Sequence, residues 1–451
     1  MLNIKTQKTL LLILAVTLAI KLVIVLWLIP QGIDYLPYSI GGFTDRYDNI
    51  ARNLVAGNGY RLYPDTSETL LRTPGYVLVL TAIFYVFGDS LTAAQVVNIL
   101  FGIATAYIIA HIAAKWAMLP AMGSVRENTV EWAPLAPAIL FLYHPGVLFS
   151  ETRGGSESLF ILLLTAFVYF LYSCVHTNRI REFILAGIML GLAMLVRSTP
   201  ALIPVVFFPY LLSKAKFGGK TWRSLTMNFA IMGLTAFTVL APWGLRNYEL
   251  TGEFILTSTI KGTATHQGLY VNKNYESERG RDQLLKEAVI VEASLKDKLG
   301  LRYRQEFFNV FYTARDEVKF DTYLSHLVAE EYLKSPELLI KSCILNFAGF
   351  WIRGQSANSM YLNIALTIPL LLIAGYGVYS GYRRGFDITP LLLVIGAFII
   401  PHLPTLGVAR YHVPLIPFLA ILVTIPFFRT SRYNQQCSKR TEISAAPEDT
   451  S

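Results

Sequence analysis

Two acidic residues follow the first hydrophobic run of the chain. Asp45 and Asp48 belong to the stretch "GGFTDRYDNIARNL", residues 41–54. A carboxylate at such a place can take a proton from a reacting hydroxyl group. The same residues can also be structural: Asp45 could cap a helix over residues 46–55, and Asp48 precedes Arg52 by the spacing of a helical ion pair. The spacing alone leaves both interpretations open.

Further charged side chains stand where other hydrophobic runs begin or end. Arginine binds phosphate oxygens in bidentate geometry, and the candidates for that role are Arg72, Arg246, Arg353 and Arg410. The candidates for contact with an acceptor or a metal ion are Glu151, Glu157 and His266. Each residue also has a structural alternative. The arginines can reach lipid headgroups, Glu157 can stabilise the first turn of a helix, and His266 can simply be solvated.

The composition is that of a membrane protein. Of the 451 residues, 53% are apolar and 15% are charged, against about 25% charged in a soluble domain. The net charge of +9 fits loops rich in lysine and arginine on the cytoplasmic side of a membrane. Nucleic-acid binding is not indicated, because no basic stripe is interleaved with aromatic residues on a soluble fold.

Long apolar runs predict an all-α polytopic membrane protein with about ten transmembrane helices. The runs cover residues 10–30, 92–114, 134–149, 157–175, 183–196, 199–213, 225–243, 358–380, 387–402 and 411–428. A further run, 76–87, is too short to cross, and we interpret it as a re-entrant or interfacial helix. If it does not cross, the positive-inside rule places both termini in the cytoplasm and all the candidate site residues on the outer face.

The chain is predicted to have four parts: an N-terminal transmembrane module, an outer subdomain, the C-terminal transmembrane helices and a disordered cytoplasmic tail. Their bounds are 1–243, 244–357, 358–428 and 429–451. The first outer loop, 31–91, carries the acidic stretch, and the outer subdomain contains polar helical stretches at 281–299 and 317–334.

The order of several motifs resembles that of the GT-C glycosyltransferases. More specifically, it resembles glycosyltransferase family 39, which includes the protein O-mannosyltransferases and the lipid A aminoarabinose transferase. The resemblance extends over residues 10–428. It rests on "TDRYDNIARNLVAGNGY", "RTPGYVLVLTAIFYVFGDS", "SESLFILLL", "GLAMLVRSTPALIP", "APWGLRNYELTGEFILTST" and "ARYHVPLIPFLAIL". Such proteins are GT-C-type helical bundles with outer-face loops, so the resemblance implies the same fold here.

The resemblance also implies an activity. Such enzymes move a sugar from a polyprenyl phosphate to a lipid, glycan or protein acceptor on the outer face of the membrane, in bacteria the inner membrane. The acid of the first outer loop is then the catalytic base, with Asp45 the best match and Asp48 the alternative. The arginines would stabilise the leaving phosphate, and attack from the opposite face would invert the anomeric centre. A divalent cation is a candidate cofactor.

Two other membrane functions remain as alternatives. A glycan polymerase or ligase of the O-antigen type would depend mainly on the large late loop, not on an acid in the first. A transporter or flippase of lipid-linked sugars would be expected to show internal repeats and charges near the membrane midplane. No convincing repeat relates the two halves, and Lys21, midway along the first apolar run, is the one feature that favours a transporter.

Overall fold

The structure, a computed structural model, describes residues 2–31, 45–118, 133–215, 221–275, 280–304, 310–354 and 356–427. These residues are helical almost throughout. The prediction of an all-α polytopic membrane protein is therefore confirmed. The tail predicted for 429–451 lies outside the described residues, as do residues 32–44 of the first outer loop.

The N-terminal part is a succession of helices that are mostly apolar. They are α1 (Ile4–Val23), α2 (Tyr47–Val55), α3 (Pro74–Phe87), α4 (Leu91–Met118), α5 (Ala136–Tyr143), α6 (Pro145–Thr152), α7 (Glu157–Thr177), α8 (Ile180–Met194), α9 (Leu202–Ala215) and α10 (Trp222–Thr251). Helix α1 continues without interruption through a π-helical turn to Leu28. Helix α8 packs along both α7 and α10, and α4 packs along α7.

The outer subdomain follows α10 and is more polar. It consists of α11 (Lys261–Lys273), α12 (Arg281–Lys298), β1 (Tyr303–Arg304), β2 (Val310–Phe311), α13 (Ala314–Lys334) and α14 (Pro336–Ile352). The two strands pair in antiparallel register, with Tyr303 opposite Phe311. The polar helical stretches predicted here correspond to α12 and α13. The chain then returns to apolar helices, which are α15 (Ala357–Arg383), α16 (Thr389–Ile399), a 3₁₀ segment (Ala409–Leu415) and α17 (Ile416–Thr424).

Six helical segments of the described chain are long and apolar enough to cross a membrane. They are Ile4–Leu28, Leu91–Lys115, Glu157–Thr177, Trp222–Thr251, Ala357–Arg383 and Ala409–Phe427. The other four predicted spans occur as shorter helices. The apolar run at 76–87 forms α3, whose 14 residues are too few for a full crossing, as expected.

The predicted span at 134–149 is broken into two short helices. Residue His144 is extended, with φ −67° and ψ 125°, and Pro145 begins α6. A proline lacks the backbone N–H of a continuous helix and disfavours helical geometry in the residue before it. Because of this break, residues at both ends of α6 lie at the site described below.

Glu317 of α13 joins the first outer loop to the outer subdomain. Its buried carboxylate accepts hydrogen bonds from the Thr69 hydroxyl at 2.8 Å and the Leu70 backbone N–H at 3.0 Å, and from the Thr259 hydroxyl. Burial raises the pKa of Glu317 to about 7, although the three hydrogen bonds counteract the shift. These hydrogen bonds fix the first outer loop at Thr69 and Leu70, just before Arg72.

Candidate functional site

A cavity of about 280 Å³ lies between the first outer loop, α6, the outer subdomain and the start of the C-terminal helices. Its apolar wall includes Ile260 and Leu285 from the outer subdomain and Leu362, Leu366 and Val413 from the C-terminal helices. The charged side chains that line it are those of Asp45, Arg72, Arg153, Arg281, Arg353 and Arg410. Five guanidinium groups thus face a single carboxylate among the described residues.

The backbone turns sharply where Asp45 enters the cavity. Asp45 and Arg46 have φ angles of 65° and 64°, in the left-handed region that side chains other than glycine seldom adopt. Such strain is commonly found at functional sites. Helix α2 begins only at Tyr47 and has no side-chain cap, so Asp45 does not have the capping role that its spacing left open. The left-handed turn carries the carboxylate away from the helix N-terminus.

The Asp45 carboxylate is bound by arginines from distant parts of the sequence. Its Oδ2 atom accepts a hydrogen bond of 2.6 Å from Nη2 of Arg410. Nη2 of Arg72 lies 3.9 Å from Oδ1, and Nε of Arg72 donates to the backbone oxygen of Asp45 at 2.8 Å. Burial by itself would raise the pKa of Asp45, but the charges of Arg410, Arg72 and Arg197 outweigh it and lower the pKa. Asp45 is therefore ionised in the resting site.

Asp48, the alternative acid, lies outside the cavity lining. Its carboxylate accepts a hydrogen bond of 2.5 Å from Arg52, which also binds Asp89 at 2.6 Å. This is the helical ion pair that the spacing of Asp48 and Arg52 predicts. The geometry therefore favours Asp45 over Asp48 as the reacting carboxylate.

Glu157 contacts Arg410, one of the arginines that line the cavity. Its carboxylate binds Nη2 of Arg197 at 2.5 Å and lies 3.9 Å from Nε of Arg410. Arg197 also donates to the Ser156 hydroxyl at 3.1 and 3.2 Å. Glu157 does not line the cavity, so its predicted contact with an acceptor or a metal is not supported by its position. Instead, it helps to orient Arg410 toward Asp45.

Arg353 faces the cavity without a carboxylate partner among the described residues. It donates hydrogen bonds to the backbone oxygen of Leu345 at 3.1 Å and to the side chain of Asn346 at 3.4 Å. Burial lowers the pKa of Arg353, the nearby Tyr275 opposes this effect, and the charge of Arg281 adds to it. An anion in the cavity would relieve that unfavourable charge.

Two lining arginines are absent from the sequence-based candidates for phosphate binding. Arg153 packs over the Phe149 ring at 4.9 Å and pairs with no carboxylate within 4 Å among the described residues. Arg281 donates to the backbone oxygen of Gly354 at 3.1 Å. In the sequence, the only feature that could have indicated these two arginines is their predicted position on the outer face, and many other residues share that feature.

Arg246 lies outside the cavity, and this placement does not support the prediction that it binds the donor phosphate. It pairs with Glu68 at 2.9 Å and donates to the backbone oxygen of Thr69 at 3.0 Å. Its guanidinium also lies over the rings of Tyr60 and Trp243. These contacts fasten the first outer loop to the end of α10.

Glu151 also lies outside the cavity, and this position does not support its predicted contact with an acceptor or a metal. Both of its carboxylate oxygens bind Nζ of Lys21, at 2.7 and 2.8 Å, and both side chains are buried. A Cβ atom at Gly102 of α4 would lie 2.0 Å from Oε1 of Glu151, so a larger residue there would have to displace this carboxylate. Lys21 therefore faces the interior and is neutralised there.

His266 is bound inside the outer subdomain. Its Nδ1 atom lies 3.0 Å from the Glu292 carboxylate; both residues are buried, and neither lines the cavity. Among the described residues, no three histidine, cysteine, aspartate or glutamate side chains group closely enough to hold a metal ion. The prediction of His266 as a metal ligand thus has no structural support, and the cofactor itself stays untested.

Comparisons with known proteins give one sequence match. Residues 72–245 match the family described as dolichyl-phosphate-mannose-protein mannosyltransferase. No curated protein matches the chain significantly. Among solved structures, ArnT from Cupriavidus metallidurans bound to undecaprenyl phosphate has 14% identity and a TM-score of 0.40, over 93% of this chain and 77% of that chain. ArnT in the apo state has 13% identity and a TM-score of 0.35, over 85% and 72%.

The family match confirms the resemblance to GT-C glycosyltransferases that the sequence motifs indicate. The matched segment contains Arg72 and Arg153 but ends before Arg353 and Arg410, and Asp45 precedes it. The proposed roles of the residues outside the segment therefore rest on the geometry of the cavity.

Proposed function

Because residues 72–245 match a family named for a polyprenyl-phosphate sugar, we propose that this chain transfers a sugar from such a donor to a lipid, glycan or protein acceptor. The observation that carries the proposal is the cavity itself. It combines one ionised carboxylate, five arginines and an apolar wall formed partly by α15. A phosphate, a sugar and the first isoprene units of a lipid need those three kinds of surface.

The donor phosphate would bind chiefly among the arginines that lack a carboxylate partner, with Arg410, which lines the same cavity, as a further partner. Arg353 and Arg153 meet this description. Arg281 lines the same cavity and donates to the backbone oxygen of Gly354, although it also pairs with Asp282 at 3.3 Å. As the bond between the anomeric carbon and the phosphate oxygen breaks, negative charge grows on that oxygen. Fixed guanidinium groups in a site shielded from water stabilise that charge.

Asp45 would serve as the general base. The acceptor oxygen attacks the anomeric carbon, the bond to the phosphate breaks with its electron pair on the phosphate, and the acceptor proton passes to Asp45. Attack from the face opposite the phosphate inverts the anomeric centre. An acceptor already ionised would need no base, and Asp45 would then only orient it.

Arg410 links donor binding to this base. In the resting site it neutralises Asp45, which weakens Asp45 as a proton acceptor. A donor phosphate competes for the same guanidinium, because arginine binds phosphate and carboxylate in the same way. Release of Arg410 raises the pKa of Asp45 toward the range useful for catalysis. Asp45 thus becomes an effective base only when a donor is bound.

The rival functions receive less support from the geometry. Lys21, the feature that favoured a transporter, is neutralised by Glu151 in the protein core. A polymerase or ligase would not require the carboxylate that the arginines hold in the first outer loop. We further propose that the cavity faces outward from a bacterial inner membrane, with both termini cytoplasmic. Reporter fusions should then place Gly88 outside and Ser124 inside.

Substitution of the two acids tests the assignment directly. Purified protein, given a polyprenyl-phosphate hexose and a cell-envelope extract as acceptor, should release polyprenyl phosphate. Asp45→Asn should lower this rate by about 10²- to 10⁴-fold, the usual contribution of a general base. Asp48→Asn is the matched control and should retain the rate within a few fold, because Asp48 pairs with Arg52 instead. Normal turnover by Asp45→Asn would refute the assignment.

A further inference from the structure

Helix α14, the last helix of the outer subdomain, exposes apolar side chains along one face. Ile340, Ile344 and Phe347 follow one another at intervals of four and three residues, which places them on the same side of a helix. In the described part of the chain they are 61%, 64% and 50% exposed. In a water-soluble domain such a face would be turned inward, because the burial of apolar surface is favourable.

The opposite face of α14 carries polar side chains, and this is the face that packs on the protein. Ser342 and Asn346 are fully buried. Asn346 donates hydrogen bonds to the backbone oxygens of Leu403 and Thr405 at 2.9 and 3.0 Å, and its Oδ1 atom accepts one from the Gly407 N–H at 3.1 Å. The polarity of α14 is therefore the reverse of that of a surface helix in water.

Helix α12 of the same subdomain has an outer face of the usual kind. Its exposed residues are polar with one exception, Ile290, which is 69% exposed. These residues are Asp282, Gln283, Lys286, Ile290, Ser294, Asp297 and Lys298. The outer subdomain thus has a helix suited to water, α12, and a helix suited to an apolar medium, α14.

The neighbour of α14 in the sequence is a membrane span. Helix α14 ends at Ile352, α15 begins at Ala357, and the two helices pack together. The segment Ala357–Arg383 is long and apolar enough to cross a membrane, and it exposes apolar residues such as Leu372 along its length. Lipid that covers this surface of α15 is therefore adjacent to α14.

The length and charge of α14 indicate a position at the membrane surface. Its 17 residues are fewer than the roughly 20 that a crossing helix needs. Its two charged residues, Glu337 and Lys341, lie in the first two turns, and residues 342–352 carry no charge. An interfacial helix buries its apolar face about 5–10 Å into the boundary between lipid headgroups and acyl chains.

We propose that α14 is a membrane-binding helix, whose face of Ile340, Ile344 and Phe347 inserts among the acyl chains of the leaflet nearest the cavity. It would attach the outer subdomain to the bilayer at a second place besides α15. Arg353 directly follows α14 and donates hydrogen bonds to Leu345 and Asn346 within it. The attachment would thus fix the height of this cavity arginine relative to the lipid headgroups. The inference concerns a surface and does not depend on the proposed transfer reaction.

Fluorescence quenching by lipids tests which medium covers α14. A bimane label is attached to a single cysteine introduced as Ile344→Cys, Phe347→Cys, Ile290→Cys or Leu372→Cys in the full-length chain. Alanine replaces the native cysteines, which are Cys174, Cys343 and Cys437. The protein is placed in nanodiscs of phosphatidylcholine and phosphatidylglycerol, whose acyl chains carry bromine either near the headgroup or near the chain end. An unchanged thermal unfolding curve shows that each labelled variant is folded.

Two of these variants are controls. Ile290→Cys is the matched control for water, because it changes the same residue type in the same subdomain at similar exposure, on the polar face of α12. Leu372→Cys is the control for lipid, because it lies midway along the membrane span α15.

Lipid contact predicts a distinct quenching pattern for α14. Bromine near the headgroup should quench the label in Ile344→Cys and Phe347→Cys more strongly than bromine near the chain end, as expected for a helix at the interface. Leu372→Cys should show the reverse order, and Ile290→Cys should respond only to iodide in the buffer. A second measurement uses the wild-type chain. A photolysed diazirine acyl chain in the same nanodiscs should modify the peptide with residues 340–348 and not the peptide of α12.

Two other results would overturn the proposal. If iodide quenches Ile344→Cys and Phe347→Cys as strongly as Ile290→Cys, and bromine has no effect, α14 lies in water. If neither quencher reaches these labels, protein covers the face, either a second copy of this chain or another subunit. Both results leave the proposed glycosyltransferase function standing, because no donor enters the measurement. A failure of that function, in turn, would not alter the quenching of α14.

Discussion

Two ion pairs in this protein are alike in distance but differ in their surroundings. Asp45 binds Arg410 at 2.6 Å and Glu151 binds Lys21 at 2.7 Å. The first pair lines the cavity, with side-chain exposures of 16% and 32%, and further arginines surround it. The second is sealed between helices, with exposures of 1% and 3%, and each charge cancels the other.

The difference shows that a charge buried in a membrane protein is not by itself a sign of a catalytic site. Lys21 and Glu151 satisfy one another fully, so no charge remains for a ligand. Asp45 shares its arginines with the cavity, where positive charge remains in excess. A reactive ion pair is therefore accessible from the cavity and has excess positive charge around it, whereas a structural ion pair has neither.

Breaking the sealed pair should have the largest effect on stability. Glu151→Gln leaves the Lys21 charge buried without a partner, which should reduce the free energy of unfolding by about 3–5 kcal/mol. The double variant Lys21→Met, Glu151→Met removes both charges and should recover most of that loss. Denaturant unfolding in detergent measures both. A single variant as stable as the wild type would contradict a sealed pair.

Breaking the open pair should instead change the chemistry. Arg410→Gln removes a guanidinium aimed at the reacting groups and should lower kcat by about 10²- to 10³-fold. It also removes a charge that lowers the pKa of Asp45, so that pKa should rise. The base is active only above its pKa, and the acid limb of kcat/KM against pH should therefore move to higher pH.

Glu317 is a third buried acid, and its predicted effect on stability lies between those of the two ion pairs. The pKa of Glu317 is raised from 4.5 to about 7, so the folded state binds this proton more tightly than the unfolded state. Its contribution to stability is complete below about pH 4.5 and is lost as the pH rises toward 7, by about 3 kcal/mol at about 1.4 kcal/mol per pH unit. Glu317→Gln should flatten this dependence in unfolding measured at pH 4.5 and 7.5.

The smallest predicted effects distinguish Arg353, which lines the cavity, from Arg246, which does not. Arg353→Gln should raise KM for the donor about tenfold, the effect of losing one hydrogen bond between charged groups. Arg246→Gln is the matched comparison and should leave KM within about twofold, because Arg246 binds Glu68 and not the cavity. If both substitutions raised KM equally, a position in the cavity would not determine which arginines bind the donor.

Much of this organisation is visible in the sequence because it depends on local pattern. Hydrophobic runs predict the helices, polar stretches predict α12 and α13, and the spacing of Asp48 and Arg52 predicts their ion pair. The site depends on contacts between distant residues. Asp45 and Arg410 are 365 positions apart, and the left-handed backbone at Asp45 leaves no trace in the residue types around it. Glu151 and Arg246 resemble site residues until their partners, Lys21 and Glu68, are known.

The separation of Lys21 from Glu151 also affects the biosynthesis of the protein. The two residues are 130 positions apart, so α1 leaves the ribosome well before its counter-charge has been made. A lone lysine at the centre of an inserting helix costs about 2.5–3.5 kcal/mol. The other residues of α1 must supply enough hydrophobicity to hold it in the bilayer during that interval. The first helix can therefore settle into its final place only after α6 has been synthesised.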